Sequence, residues 1–170
     1  MGGIHQVIAR MAGQIAELQR KQANMVRSGR VLDVDPARQR VKVDIGDADN
    51  ECATAWIRWT ERAGARMTWN PPSPGELMTV ISPGGEIDEK SLAIHGGFTD
   101  DNAAPSGDGD ATVYSFGGVT ATVAGGGISL NIAGEISITG GTIKHNGKDI
   151  GDTHKHGGVS VGVAETEEPV

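Results

Sequence analysis

Apolar side chains at Ile4, Ile8, Met11, Ile15, Leu18 and Met25, with Gln22 completing the series, alternate in spacings of four and three residues. This is the a/d seam of a heptad repeat, and it predicts a helix from Ile4 to Met25. So narrow a stripe suits association between helices. The other reading is an amphipathic helix lying on the surface of its own domain. Gln22 weakens the seam but helps to set its register. After Ser28-Gly29 the period changes to two. Strands are predicted over Arg30–Val34 and Arg40–Ile45, joined through a turn that begins at Asp35-Pro36, then over Ala53–Thr60, Glu76–Ile81 and Ser91–His95. A proline-rich loop fills 61–75, and Ser82-Pro83-Gly84-Gly85 reads as a turn. Five short strands in about 70 residues fit a small closed barrel of the OB type, though the strand count also suits another small barrel.

Residues 99–111 are acidic, aperiodic and rich in Ala, Pro, Ser and Gly, the composition of a linker. Beyond them Val119, Ala121 and Val123 alternate with Thr120 and Thr122, and Ile128, Leu130, Ile132, Ile136 and Ile138 share one parity. The β-branched content makes this strand rather than flexible linker, with glycine clusters at 117–118, 125–127 and 140–141 allowing bends. Each run offers only a few apolar side chains to one face. Alone, such a sheet leaves that face wet and its edges unpaired. A monomeric β-solenoid is one solution, but it needs caps and fuller rungs. Three identical chains about a common axis, each supplying one wall, solve both problems and are the favoured reading. Composition points the same way: hydrophobic residues are 37%, aromatic residues 4%, and 26 residues are glycine, a thin supply of core for a monomer.

The net charge is −7, unevenly placed: the first 66 residues carry 11 basic and 8 acidic side chains, the remainder 4 and 14. The acidic part is the wrong sign for binding nucleic acid or anionic lipid. The only cysteine, Cys52, excludes an intrachain disulfide, fits assembly in a reducing cytoplasm, and reads as a small residue packed in or near a strand. Neither a signal-peptide core nor an apolar stretch of about 20 residues is visible.

The strongest chemical signal is Asp152-Thr153-His154-Lys155-His156-Gly157-Gly158. Alternate residues of an extended chain face the same side, so His154 and His156 converge while Lys155 points away. An isolated pair of this kind is ordinarily two exposed histidines in a polar loop. At the end of a threefold spike, however, three chains supply six imidazoles, an octahedral all-nitrogen site. Imidazole suits iron, nickel, copper and zinc; six-coordination disfavours zinc, which prefers four ligands, and cellular iron is the natural candidate among the rest. With every position filled, the metal is structural rather than catalytic. His5, His95 and His145 read as surface or packing residues.

Three segments resemble the baseplate assembly protein V family, the tail spikes of contractile-tailed phages. They are Trp69-Asn70-Pro71-Pro72-Ser73-Pro74-Gly75-Glu76 followed by Val80-Ile81-Ser82-Pro83-Gly84-Gly85; Ile94-His95-Gly96-Gly97-Phe98; and Thr153-His154-Lys155-His156-Gly157-Gly158-Val159. Lys155 departs from the family pattern, where a hydroxyl residue is more usual. The resemblance implies a mainly β homotrimer. Its parts would be an N-terminal helix for attachment or trimerisation (1–27), an OB-fold domain (28–98), a linker (99–111), a triple-stranded β-helix spike (112–150) and an apex (151–170) with iron on His154 and His156. It implies a non-enzymatic virion protein of the baseplate tip, assembled in the host cytoplasm, that meets the tail hub and baseplate through its N-terminal part and pierces the host outer membrane. The rival readings are the spike of a tailocin or contractile secretion system, a receptor-binding fibre, and an OB-fold nucleic-acid binder resting on Trp56, Arg58, Trp59, Arg62 and Arg66.

Overall fold

Val31, Val41, Val43, Ile45, Ile57, Trp59, Met78, Val80 and Ala93, taken from every strand predicted in the first hundred residues, are buried against one another. The computed structural model in which they do so describes residues 3–47, 49–151 and 162. It divides into two compact units, Met1–Gly107 and Asp108–Val170.

The first unit contains helix α1 (Gly3–Asn24) and strands β1 (Val26–Asp35), β2 (Arg40–Asp44), β3 (Arg58–Trp59), β4 (Leu77–Ile81) and β5 (Leu92–His95). The strands form one sheet in the order β2-β1-β4-β5-β3, antiparallel except for the parallel pair β3 and β5. Reciprocal hydrogen bonds of 2.9 and 3.0 Å between Val41 and Ile57 bring the two ends of the sheet together, so it is nearly closed and barrel-like, consistent with an OB fold. A register shift between Val31 and Asp33 marks a bulge in β1. The bulge bends the strand, so its first half pairs with β4 and its second with β2. Buried polar groups are paired: Thr54 Oγ1 accepts from the Val43 amide at 3.0 Å, and the Ser82 and Ser91 hydroxyls lie 2.8 Å apart.

Two predicted boundaries move by more than one residue. β1 begins at Val26, not after Gly29, because β4 offers Val26–Gly29 a pairing partner. Gly29 is required there, since a side chain would overlap the Asp44 carbonyl of β2. The strand expected over Ala53–Thr60 contracts to Arg58–Trp59, with bridges Asp44–Ala53 and Val41–Ile57 preceding it. The irregular pairing is what lets this segment pass from β2 to β5. The linker is partly held to the barrel: Arg30 pairs with Asp101 at 3.0 Å, and Asn102 Nδ2 donates to the Gly75 carbonyl.

The second unit holds a meander of β6 (Thr112–Phe116), β7 (Val119–Ala124) and β8 (Gly127–Ile132), followed by a hairpin of β9 (Lys144–His145) and β10 (Lys148–Asp149). Gly117-Gly118 and Gly125-Gly126 all have positive φ, as two-residue hairpin turns require. These glycines therefore fold one chain back on itself rather than bending it from one wall to the next. The second hairpin turns on Asn146-Gly147, φ 50° and 78°. An Asn-Gly pair is a strong hairpin signal, one that apolar periodicity does not carry. Ile136 and Ile138, expected in a strand, lie outside any strand of this chain and are exposed.

Candidate functional site

The loop after β3 is organised by one carboxylate. Glu61 accepts from the Trp59 indole at 3.1 Å, from the Thr68 hydroxyl, and from the Asn70 amide. Partial burial raises its pKa, but these hydrogen bonds outweigh that effect and hold the carboxyl below its ordinary range. The Trp59 and Trp69 rings stand 5.6 Å apart, tilted by 56°. Trp59, only 2% exposed, belongs to the core, whereas Trp69 remains 57% exposed on a loop that also exposes Met67. The Trp-x-Pro-Pro segment is thus an exposed surface feature held to the barrel through Trp59 and Glu61. Nothing in the sequence marked Glu61 except its place at the start of the loop.

Helix α1 joins the barrel through its last turn. Arg20 bridges Glu17 and Glu86, each at 2.9 Å, and Lys21 reaches Glu86 at 3.3 Å. Gly85, φ 75°, packs so closely under the Lys21 main chain that any Cβ there would overlap it. The second glycine of Ser-Pro-Gly-Gly is therefore a seat for the helix. None of the described residues of α1 is buried, and Ile4, Ile8, Met11, Ile15 and Leu18 all stand open. The reading in which the stripe lies against its own domain does not hold within this chain.

In the meander, cross-strand register puts apolar residues in rows on one face: Thr112–Val123–Ile128, Tyr114–Ala121–Leu130 and Phe116–Val119–Ile132. The opposite face carries Val113–Thr122–Ser129 and Ser115–Thr120–Asn131. The apolar face is open, with Phe116 88% exposed. Tyr114 and Phe116 stand in rows with aliphatic side chains, as part of this face and not as a separate aromatic platform.

His154 and His156 lie outside the described residues. Among those described, no three or more His, Cys, Asp or Glu side chains gather closely enough to hold a metal ion. His5 and His145 are exposed on α1 and β9, and His95 Nδ1 lies 2.9 Å from Glu76. Cys52, expected to be packed, is exposed; its amide donates to Asp44 Oδ1 at 2.8 Å. Of the residues that favoured nucleic-acid binding, Trp59 is unavailable for stacking, and Lys42 already covers Trp56 at 5.0 Å.

Comparison with known proteins bears on the barrel. Residues 27–94, which run from the second residue of β1 to the third of β5, match the family model described as the type VI secretion system/phage-baseplate injector OB domain. The chain is also 36% identical over 103 residues to the spike protein of Escherichia phage P2. That stretch covers 60% of this chain and 46% of the P2 protein, so the chain spans about half the length of the relative it matches. Both matches agree with the resemblance to the baseplate assembly protein V family read from the sequence.

Proposed function

We propose that this chain, with its injector-type OB barrel, is a structural spike protein at the baseplate tip of a contractile phage tail, assembled as a homotrimer. The observation that carries the reading is the apolar face of β6–β8, bare in a single chain. A contiguous apolar face of this kind marks a surface made to be covered. The barrel's match to the injector domain and the likeness to a phage spike protein support the same assignment. Three copies about one axis turn these faces toward each other and pair the free edges of β6 and β8 between chains in an intertwined β-structure.

At the apex, His154 and His156 of three copies provide the six imidazole nitrogens that suit iron. The two donors of one chain are incomplete, and threefold symmetry completes them. A metal held by these histidines would cross-link the three chains. With no position left open the role is mechanical, and the protein is not an enzyme. The N-terminal part meets the hub and baseplate, and sheath contraction drives the apex through the host outer membrane. The virion tail tip is its place of action and the host cytoplasm its place of assembly. A spike of a secretion-type injector is the second reading, favoured by a family description that names both machines.

Mass determination in solution with metal analysis on the same sample tests the proposal. A trimer with a single iron is expected. A monomer overturns the spike reading, and a trimer without stoichiometric metal removes the apical clamp while leaving the spike.

A further inference from the structure

We propose that α1 packs in parallel and in register against the same helix of the other copies, so that interchain contact begins upstream of the barrel. The number of copies rests on the spike reading; the homotypic contact rests on α1 itself. Ile8, Ile15 and Gln22 occupy the a positions of its seam and Ile4, Met11 and Leu18 the d positions, while Met25, next in the series, falls just beyond the end of the helix. Ile4, Ile8, Met11, Ile15 and Leu18 stand clear of the barrel, Ile8 58% and Leu18 66% exposed. A 22-residue helix with Gly13 at its centre and no acidic residue in its first turn is marginal by itself and is stabilised chiefly by covering its apolar stripe.

Three observations select a copy of the same helix as the cover. The strict four-three spacing is reciprocated, knob into hole, by a helix with the same spacing. Flanking the seam, Val7, Ala12, Gln14 and Gln19 are uncharged, while Arg10, Glu17 and Arg20 sit at outer positions, so identical parallel helices meet no like-charge barrier. Lys21, which also flanks the seam, is drawn to Glu17 and Glu86. Finally, Gln22 is costly against a purely apolar groove, but its amide both donates and accepts. In-register copies therefore satisfy one another there. The Gly85 seat and the Glu86 ion pairs fix the base of the helix on each barrel, which favours a parallel arrangement over an antiparallel one.

The test is site-specific cross-linking of the full chain in a Cys52→Ser background under mild oxidation. Ile8→Cys, on the seam and away from the helix midpoint, forms a disulfide between copies only if the helices run parallel. Gly13→Cys, on the outer face, is the control, and circular dichroism checks that both variants keep their fold. A dimeric band on a non-reducing gel from Ile8→Cys, absent for Gly13→Cys, is the expected result. A trimer that cross-links at neither position, or equally at both, overturns the helix contact and leaves the spike reading intact. A monomeric parent chain overturns both.

Discussion

Replacing Gly85 by alanine tests the seat on which α1 rests, and Gly84 provides a control one residue away. Both have positive φ, 85° at Gly84 and 75° at Gly85, so alanine at either carries the left-handed backbone penalty of about 1–2 kcal/mol. At Gly84 no atom lies within contact range of an added Cβ. At Gly85 the Cβ overlaps the main chain of Lys21, and backbone cannot rotate away as a side-chain tip can. Relieving that overlap moves the last helical turn and strains its contacts with Glu86, an overpacking cost of about 1–3 kcal/mol. Gly84→Ala is therefore expected to destabilise the barrel unit by about 1–2 kcal/mol and Gly85→Ala by about 2–5 kcal/mol. Urea unfolding followed by tryptophan fluorescence reads the difference, since Trp56, Trp59 and Trp69 all lie in this unit. Equal losses at the two positions would refute the reasoning, because the helix would then not be resting on Gly85.

Other expectations follow from the same geometry. Ile57→Ala, at a fully buried position where the two ends of the sheet meet, costs about 2–5 kcal/mol in the same unfolding assay. Glu61→Gln weakens three accepted hydrogen bonds and loosens the 61–70 loop by about 1–2 kcal/mol after allowance for solvent, detectable as faster exchange of the Asn70 amide. Because the folded-state pKa of Glu61 is depressed, its contribution is complete above the unfolded-state pKa and is lost as the pH falls through the folded value. Acid titration of Trp69 fluorescence should therefore show release of the loop in the parent chain and not in Glu61→Gln. His154→Ala combined with His156→Ala is expected to abolish metal binding while retaining the trimer, as metal analysis and light scattering on one sample would show.

The barrel was legible because burial imposes a strict alternation on its strands. Val41 and Val43, or Met78 and Val80, are buried while the residues between them are not. The third strand was less legible because bridges at Ala53 and Ile57, rather than a continuous ladder, carry that segment across the barrel. In the second unit the parity of Val119, Ala121, Val123, Ile128, Leu130 and Ile132 identified the apolar face, and the register places all of them on it. Periodicity could not say whether Gly117-Gly118 and Gly125-Gly126 bend the chain onward or reverse it, since glycine permits both. Glu61 was invisible because its role depends on Thr68 and Asn70 returning to it across a loop. The Gly85 seat depends likewise on a helix more than sixty residues earlier in the chain.

If two further copies cover the bare apolar surfaces of each chain, the protein in solution is a trimer. Light scattering on the purified full chain, after chelation has removed any metal, tests this most directly. A mass of three times the 17.6 kDa of one chain, unchanged by dilution, is the predicted result. A mass of 17.6 kDa with the fold retained would contradict the account.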